Sequence, residues 1–109
     1  MCGIIAYKGK RDNAAALVLK GLKKLEYRGY DSWGMAVKKS QAPNSQEGIF
    51  IHKRIGKIGE LDLKKITLPK GQIAMAHSRW ATHGGVTNKN AHPHASCGNR
   101  VVVIHNGII

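Results

Sequence analysis

The sequence predicts an α+β domain. Three features carry that expectation: an apolar, β-branched segment at the start, one amphipathic helix behind it, and a succession of short apolar runs that read as strands. The opening segment, Cys2-Gly3-Ile4-Ile5-Ala6-Tyr7, suits a buried strand beginning at the terminus. Asp12 is placed to cap a helix running to about Tyr27, in which Ala15, Val18, Leu22 and Leu25 recur on one face. Lys20, Lys23 and Lys24 fall in its last turns, where cations complement the helix dipole, and Gly29 marks a stop. Met35-Ala36-Val37 and Gly48-Ile49-Phe50-Ile51-His52 read as two strands joined by the polar loop Lys39 to Glu47, which contains Pro43 and Asn44. Ile55 to Ile66 reads as a short helix or an irregular segment. Gln72 to His77 is a further strand, and Arg100 to His105, with its Val101-Val102-Val103-Ile104 core, is the clearest strand of all. Between the last two, Trp80 to Asn99 is polar and rich in Gly, Asn and His. So long a connection without structure is uncommon in a compact domain and is usually functional.

A length of 109 residues, 42% of them apolar, bounds the chain to one small domain with a modest core. No apolar run approaches the roughly 20 residues a membrane-spanning helix needs. The N-terminus has neither a basic lead nor an apolar stretch long enough for a secretory signal, so a cytoplasmic protein without a membrane partner is expected. In that setting Cys2 and Cys97 are expected as free thiols. The net charge of +12 is spread over separate clusters, namely Lys8, Lys10 and Arg11, then Lys20, Lys23 and Lys24, then Lys53, Arg54 and Lys57. No aromatic-interleaved basic strip or RNA-binding signature accompanies them, so no nucleic-acid partner is expected. The sequence stops at Ile109, just after an Asn106-Gly107 turn, which predicts a longer parent domain.

Several residues have the right type and place for chemistry. Cys2 follows Met1 directly and is small enough to allow removal of the initiator, which puts a thiol and a free α-amine on one residue. The amine titrates near 7.7–8.0 and the thiol near 8.5 when unperturbed, so the amine can act as general base for its own thiol. On position alone, Cys2 can equally be a small apolar residue opening a strand. His77-Ser78-Arg79-Trp80-Ala81-Thr82-His83-Gly84 leaves a strand directly. Arg79 offers a planar fork for a carboxylate, with Thr82 and His83 as further donors, or else is a surface arginine at a strand end. His92-Pro93-His94, with His77, His83 and His105, raises the thought of zinc, but the proline and the irregular intervals argue against a metal. These histidines are expected to be hydrogen-bonding loop residues. Asn106 and Gly107 can direct a side-chain amide and a backbone N–H at a developing oxyanion, or simply form a turn.

Taken in order, Met1-Cys2-Gly3-Ile4, Leu25-Glu26-Tyr27-Arg28-Gly29-Tyr30-Asp31-Ser32, His77 to Gly84, Asn90-Ala91-His92-Pro93-His94 and His105-Asn106-Gly107-Ile108-Ile109 resemble the class II glutamine amidotransferases, which are N-terminal-nucleophile hydrolases. The resemblance spans the whole chain. The second and third blocks are most similar to the branch of that family that aminates a sugar phosphate. It implies a four-layer αββα sandwich, of which residues 1–109 are an incomplete N-terminal portion. It implies glutamine as substrate, and fructose 6-phosphate as acceptor in an isomerase part absent from these residues. No cofactor and no metal are implied, and the parent is expected to be a homo-oligomer. It also assigns roles. Cys2 attacks the glutamine side-chain amide, Asn106 and Gly107 form the oxyanion hole, and Arg79 clamps the α-carboxylate beside Thr82 and His83. Trp80 lies on a loop that closes over glutamine, and Arg28 supports the site by holding Cys2. Ala6 and Trp33 depart from the family pattern of glycine and alanine. A carboxylate that the family uses for the substrate amine lies beyond Ile109. The rival readings are a catalytically idle module of the same fold, an amidotransferase with a different acceptor, and a nucleic-acid-binding domain.

Overall fold

The computed structural model describes residues 2–40, 48–81 and 84–107. Strand β1 (Gly3–Lys8) leads into helix α1 (Ala14–Lys24) and a 3₁₀ turn at Glu26–Arg28. Then come β2 (Ser32–Lys38), β3 (Ile49–Ile55), a second 3₁₀ turn at Ile58–Glu60, and β4 (Ile73–Arg79). Two-residue strands β5 (His94–Ala95) and β6 (Val102–Val103) complete the order. Strands β1 to β4 form one fully antiparallel sheet in the order β1-β4-β2-β3, and β5 pairs with β6 in a separate ribbon. The α+β expectation holds. Within the described residues it amounts to one helix, one sheet and the ribbon.

Strand alternation divides the sheet into two faces. Ile5 and Tyr7 of β1, Trp33, Met35 and Val37 of β2, Phe50 of β3, and Ala74 and Ala76 of β4 join α1 in the core. From the helix come Ala14, Ala15, Val18, Leu19 and Leu22, all fully buried, with Ile58 of the second 3₁₀ turn beside them. The apolar face read from the sequence is thus the buried one. Small Ala74 and Ala76 let the helix approach the centre of the sheet, and Trp33 fills the end of the same layer against His52 at 5.5 Å between rings. The opposite face carries Ile4, His77, Arg79 and Gly34, on which residues 91–94 pack.

Three expectations need correction. The helix begins at Ala14 behind Asn13, and no side chain caps it. Its first N–H instead donates to the Gly71 carbonyl at 3.1 Å, while the Asp12 carboxylate is occupied by the Ser40 hydroxyl at 3.2 Å. The helix also ends at Lys24 rather than Tyr27, because the chain tightens into the 3₁₀ turn that brings Gly29 against β4. Finally, the Arg100–His105 segment is a strand only at Val102–Val103. A β-ladder needs a partner as well as β-branched residues, and β5 offers two residues to pair with; Val101 and Val103 remain 62% and 55% exposed. The Lys39–Glu47 loop falls largely outside the described residues.

Gly34 is a point of close approach. A Cβ there would sit 2.0 Å from the His92 carbonyl oxygen, a backbone atom with no room to yield. Gly34→Ala in the full-length protein is therefore expected to lower stability by about 1–3 kcal/mol, measured by urea unfolding; an unchanged midpoint would mean that the 91–94 segment does not pack on β2.

Candidate active site

The register of β1 on β4 sets the site. Gly3 lies opposite Ser78, and one step further outward Cys2 comes beside Arg79 and Trp80. The Trp80 N–H donates to the Cys2 sulfur at 3.3 Å, and the thiol lies 3.8 Å from the Trp80 carbonyl oxygen. The Arg28 Nε donates to the Cys2 carbonyl at 3.1 Å, so the 3₁₀ turn after α1 grips the first residues of β1. Both thiols are free; Cys2 is half-buried and Cys97 exposed.

The β4 exit is held by the Gly29-Tyr30-Asp31 corner. Gly29 packs so tightly on the Arg79 carbonyl that a Cβ would lie 2.8 Å from its oxygen and 2.6 Å from its carbon. The Asp31 N–H donates to the Arg79 carbonyl at 3.2 Å, and the Asp31 carboxylate accepts from the Ala81 N–H and, at 3.3 Å, from the Ser32 hydroxyl. The Tyr30 ring meets Trp80 edge-on at 5.5 Å and carries the Lys57 ammonium 5.9 Å above it. The residue on each side of Trp80, Arg79 and Ala81, is thereby held by Asp31, while the indole itself is 43% exposed. Arg79 is buried, and its Nη1 donates to the Gly85 carbonyl at 3.0 Å, an oxygen that also accepts from the Asn90 amide. The guanidinium thus shapes the loop it precedes.

Of the residues singled out from sequence, the structure gathers Cys2, Arg28, Arg79 and Trp80. Thr82 and His83 lie outside the described residues. Asn106 and Gly107 are exposed, Gly107 with φ of +138° in a conformation glycine favours. Among the described residues no hydrogen bond joins either of them to Cys2. Sequence reasoning gave no role to Asp31, whose carboxylate spans fifty positions to Ala81; the only signal was its place beside Arg28 in the second block.

The histidines differ from expectation. His77 on β4 is fully buried, His92 nearly so, and neither ring nitrogen of His77 has a partner; His92 Nδ1 has none either. The rings stack edge to face, His77 on His92 at 4.5 Å and His92 on His94 at 4.4 Å. Burial, then the neighbouring His92 and Arg79, pushes His77 down to about 4. Burial and His94 push His92 down to about 4 as well, against an opposing contribution from the His105 backbone. They are neutral packing residues, not solvated loop donors.

No family model matches the sequence. Over its whole length, however, the chain is 52% identical to the glutamine–fructose-6-phosphate aminotransferase (isomerizing) of Pyrococcus horikoshii, 49% to that of Streptomyces coelicolor and 47% to that of Methanococcus maripaludis. The chain belongs to the N-terminal-nucleophile glutamine amidotransferases. It spans 17% of the length of those three relatives. Among solved structures it resembles the allosteric regulatory enzyme of purine biosynthesis, with a TM-score of 0.66 and 26% identity over 86% of this chain and 19% of that one. It shares the fold of the glutamine phosphoribosylpyrophosphate amidotransferase from B. subtilis, with a TM-score of 0.64 and 24% identity over 91% of this chain and 20% of that one. The amidotransferase fold therefore accounts for the helix and sheet seen here.

The histidine pair makes stability depend on pH. Both folded values lie below the ordinary 6.5, so their stabilising effect is complete above pH 6.5. As pH falls towards 4, the unfolded chain takes up protons that the folded rings refuse, and stability is lost. Urea midpoints for the full-length protein are expected to drop between pH 7 and pH 5, and to drop less in His77→Phe; equal slopes in both would remove His77 from the explanation.

Proposed function

We propose that residues 1–109 form the N-terminal part of a glutaminase domain, and that the parent is a glutamine–fructose-6-phosphate aminotransferase. The observation that carries this reading is the seat of the Cys2 sulfur at the open end of β1, one position from buried Arg79 and against the Trp80 backbone. With Met1 removed, the α-amine of Cys2 takes the thiol proton. The thiolate then attacks the side-chain amide carbon of glutamine, a C–S bond forms, and charge collects on the amide oxygen. Asn106 and Gly107 offer their N–H groups to that oxygen. Collapse breaks the C–N bond, the α-ammonium returns its proton to the departing nitrogen, and ammonia leaves. Water then opens the γ-glutamyl thioester to release glutamate and regenerate the thiol.

Arg79 is the residue that clamps the α-carboxylate of glutamine, with Thr82 and His83 beside it. Its Nη1 contact with Gly85 holds the guanidinium plane in the loop. Trp80 covers the bound substrate, and Arg28 keeps the Cys2 carbonyl, and with it the nucleophile, in place. The ammonia is consumed in a downstream isomerase part that converts fructose 6-phosphate to glucosamine 6-phosphate. The relatives' shared name and their 47–52% identity across the whole chain support that acceptor. The parent works as a homo-oligomer in the cytoplasm, where a reducing environment keeps the Cys2 thiol available.

Converting Cys2→Ala in the full-length protein is expected to cut glutamate release by at least about a thousandfold, read by a coupled glutamate assay; release at the parental rate would end the mechanism. Arg79→Lys keeps the charge but loses the fork, and is expected to raise KM for glutamine about tenfold with a smaller change in kcat. A variant with unchanged KM would take the carboxylate away from Arg79.

A further inference from the structure

We infer that Lys57 is a positioning residue for Trp80, acting through the Tyr30 ring that its ammonium covers. The inference deepens the glutaminase reading and rests on it, since in that reading Trp80 closes over bound glutamine.

Three side chains meet beside Cys2 on backbones that are already fixed. Trp80 stands between Arg79 and Ala81, both bonded to Asp31. Tyr30 stands between Asp31 and Gly29, which packs on the Arg79 carbonyl. Lys57 arrives from the end of β3. The Gly56 N–H before it donates to the Asp31 carbonyl at 2.9 Å, and Ile58 after it is buried in the core. Lys57 itself is extended, with φ of −83° and ψ of 135°, and so bridges the Asp31 corner and the core. Asp31 is thus a shared anchor for all three positions.

The side chains are less constrained than the backbones. Tyr30 is 51% exposed, Trp80 is 43% exposed, and Lys57 is exposed as well. Among the described residues, neither the Tyr30 hydroxyl nor the Lys57 ammonium has a hydrogen-bond partner. What sets these side chains is contact with one another. The Tyr30 ring meets the indole edge-on at 5.5 Å, and the Lys57 ammonium lies 5.9 Å from the centroid of the same ring. An edge-on aromatic pair shifts an equilibrium by about two- to tenfold. A cation over an exposed ring shifts it by about two- to fivefold. Such shifts suffice here, because a side chain on a fixed backbone chooses among a few staggered rotamers. Without Lys57 the Tyr30 ring loses its cover, and the indole is left over the substrate for less of the time.

A double-mutant cycle in the full-length protein tests this. Lys57→Met keeps the length of the stem and removes the cation; Lys57→Arg keeps a cation that stacks well on aromatic faces. We expect KM for glutamine to rise about threefold in Lys57→Met and to stay near the parental value in Lys57→Arg, with kcat within about twofold in both. In a Tyr30→Leu background, Lys57→Met should change KM by less than about 1.5-fold, because the ring that transmits the effect is gone. Acrylamide quenching reads the indole directly, the signal of each protein being taken relative to the same protein carrying Trp80→Phe. Quenching should rise in Lys57→Met and not in Lys57→Arg, in the absence of glutamine. An unchanged KM in Lys57→Met overturns the inference. So does a KM effect of equal size in the Tyr30→Leu background, which would mean that the charge acts on glutamine without the ring. Unchanged quenching, or an equal loss in the Met and Arg variants, overturns it too. Failure of the underlying reading shows separately, as a parental glutaminase rate in Cys2→Ala.

Discussion

The antiparallel register between β1 and β4 is the constraint on which the site depends. Gly3 opposite Ser78 leaves the preceding residue to emerge where β4 turns off the sheet, so the Cys2 sulfur meets the Trp80 amide and lies beside Arg79. A slip of one residue would turn Cys2 towards the α1 core and bring the wrong face of β4 under it. Register is pinned from the helix side by the alternation of Ile5 and Tyr7 with Ala74 and Ala76. Gly3 contributes as well, since a Cβ there would meet both Ser78 Oγ at 2.8 Å and Leu25 Cβ at 2.9 Å. Core packing and nucleophile placement are thus one problem, solved by the same pairs of residues.

The Arg28–Ser32 block supplies the second half of that solution. It follows the helix, turns through Gly29 over the Arg79 backbone, and enters β2, the strand that lies next to β4. Arg28 holds the residue before β1, and Asp31 holds the residues after β4. One short segment therefore clamps both chain ends that form the site. The cost is a buried arginine and a partly buried carboxylate, each engaged by backbone groups.

Much of this was legible in the residues. The helix face at Ala15, Val18 and Leu22 follows from its period, and the four long strands follow from apolar runs bounded by polar segments. The Cys2 and Arg79 constellation was legible only through the order of its blocks. What escaped shares a cause: it depends on partners far along the chain. Asp12 looked like a cap until Ser40 claimed it, and Arg100 to His105 looked like a full strand in the absence of information about its neighbour. The histidines looked like polar loop residues, because a sequence does not show that three imidazoles pack on one another between a sheet and a ribbon. Asp31 was passed over because its contact is made fifty residues away.

The account requires that Cys2 carry both the sulfur and the free amine that takes its proton. Rapid acid quench of the active full-length protein during glutamine turnover, followed by mass analysis of the N-terminal peptide, tests this most directly. The account predicts a peptide that begins with Cys2 and bears a γ-glutamyl group on its sulfur. An active protein whose N-terminal peptide still carries Met1, or on which the glutamyl group sits on another residue, would contradict it.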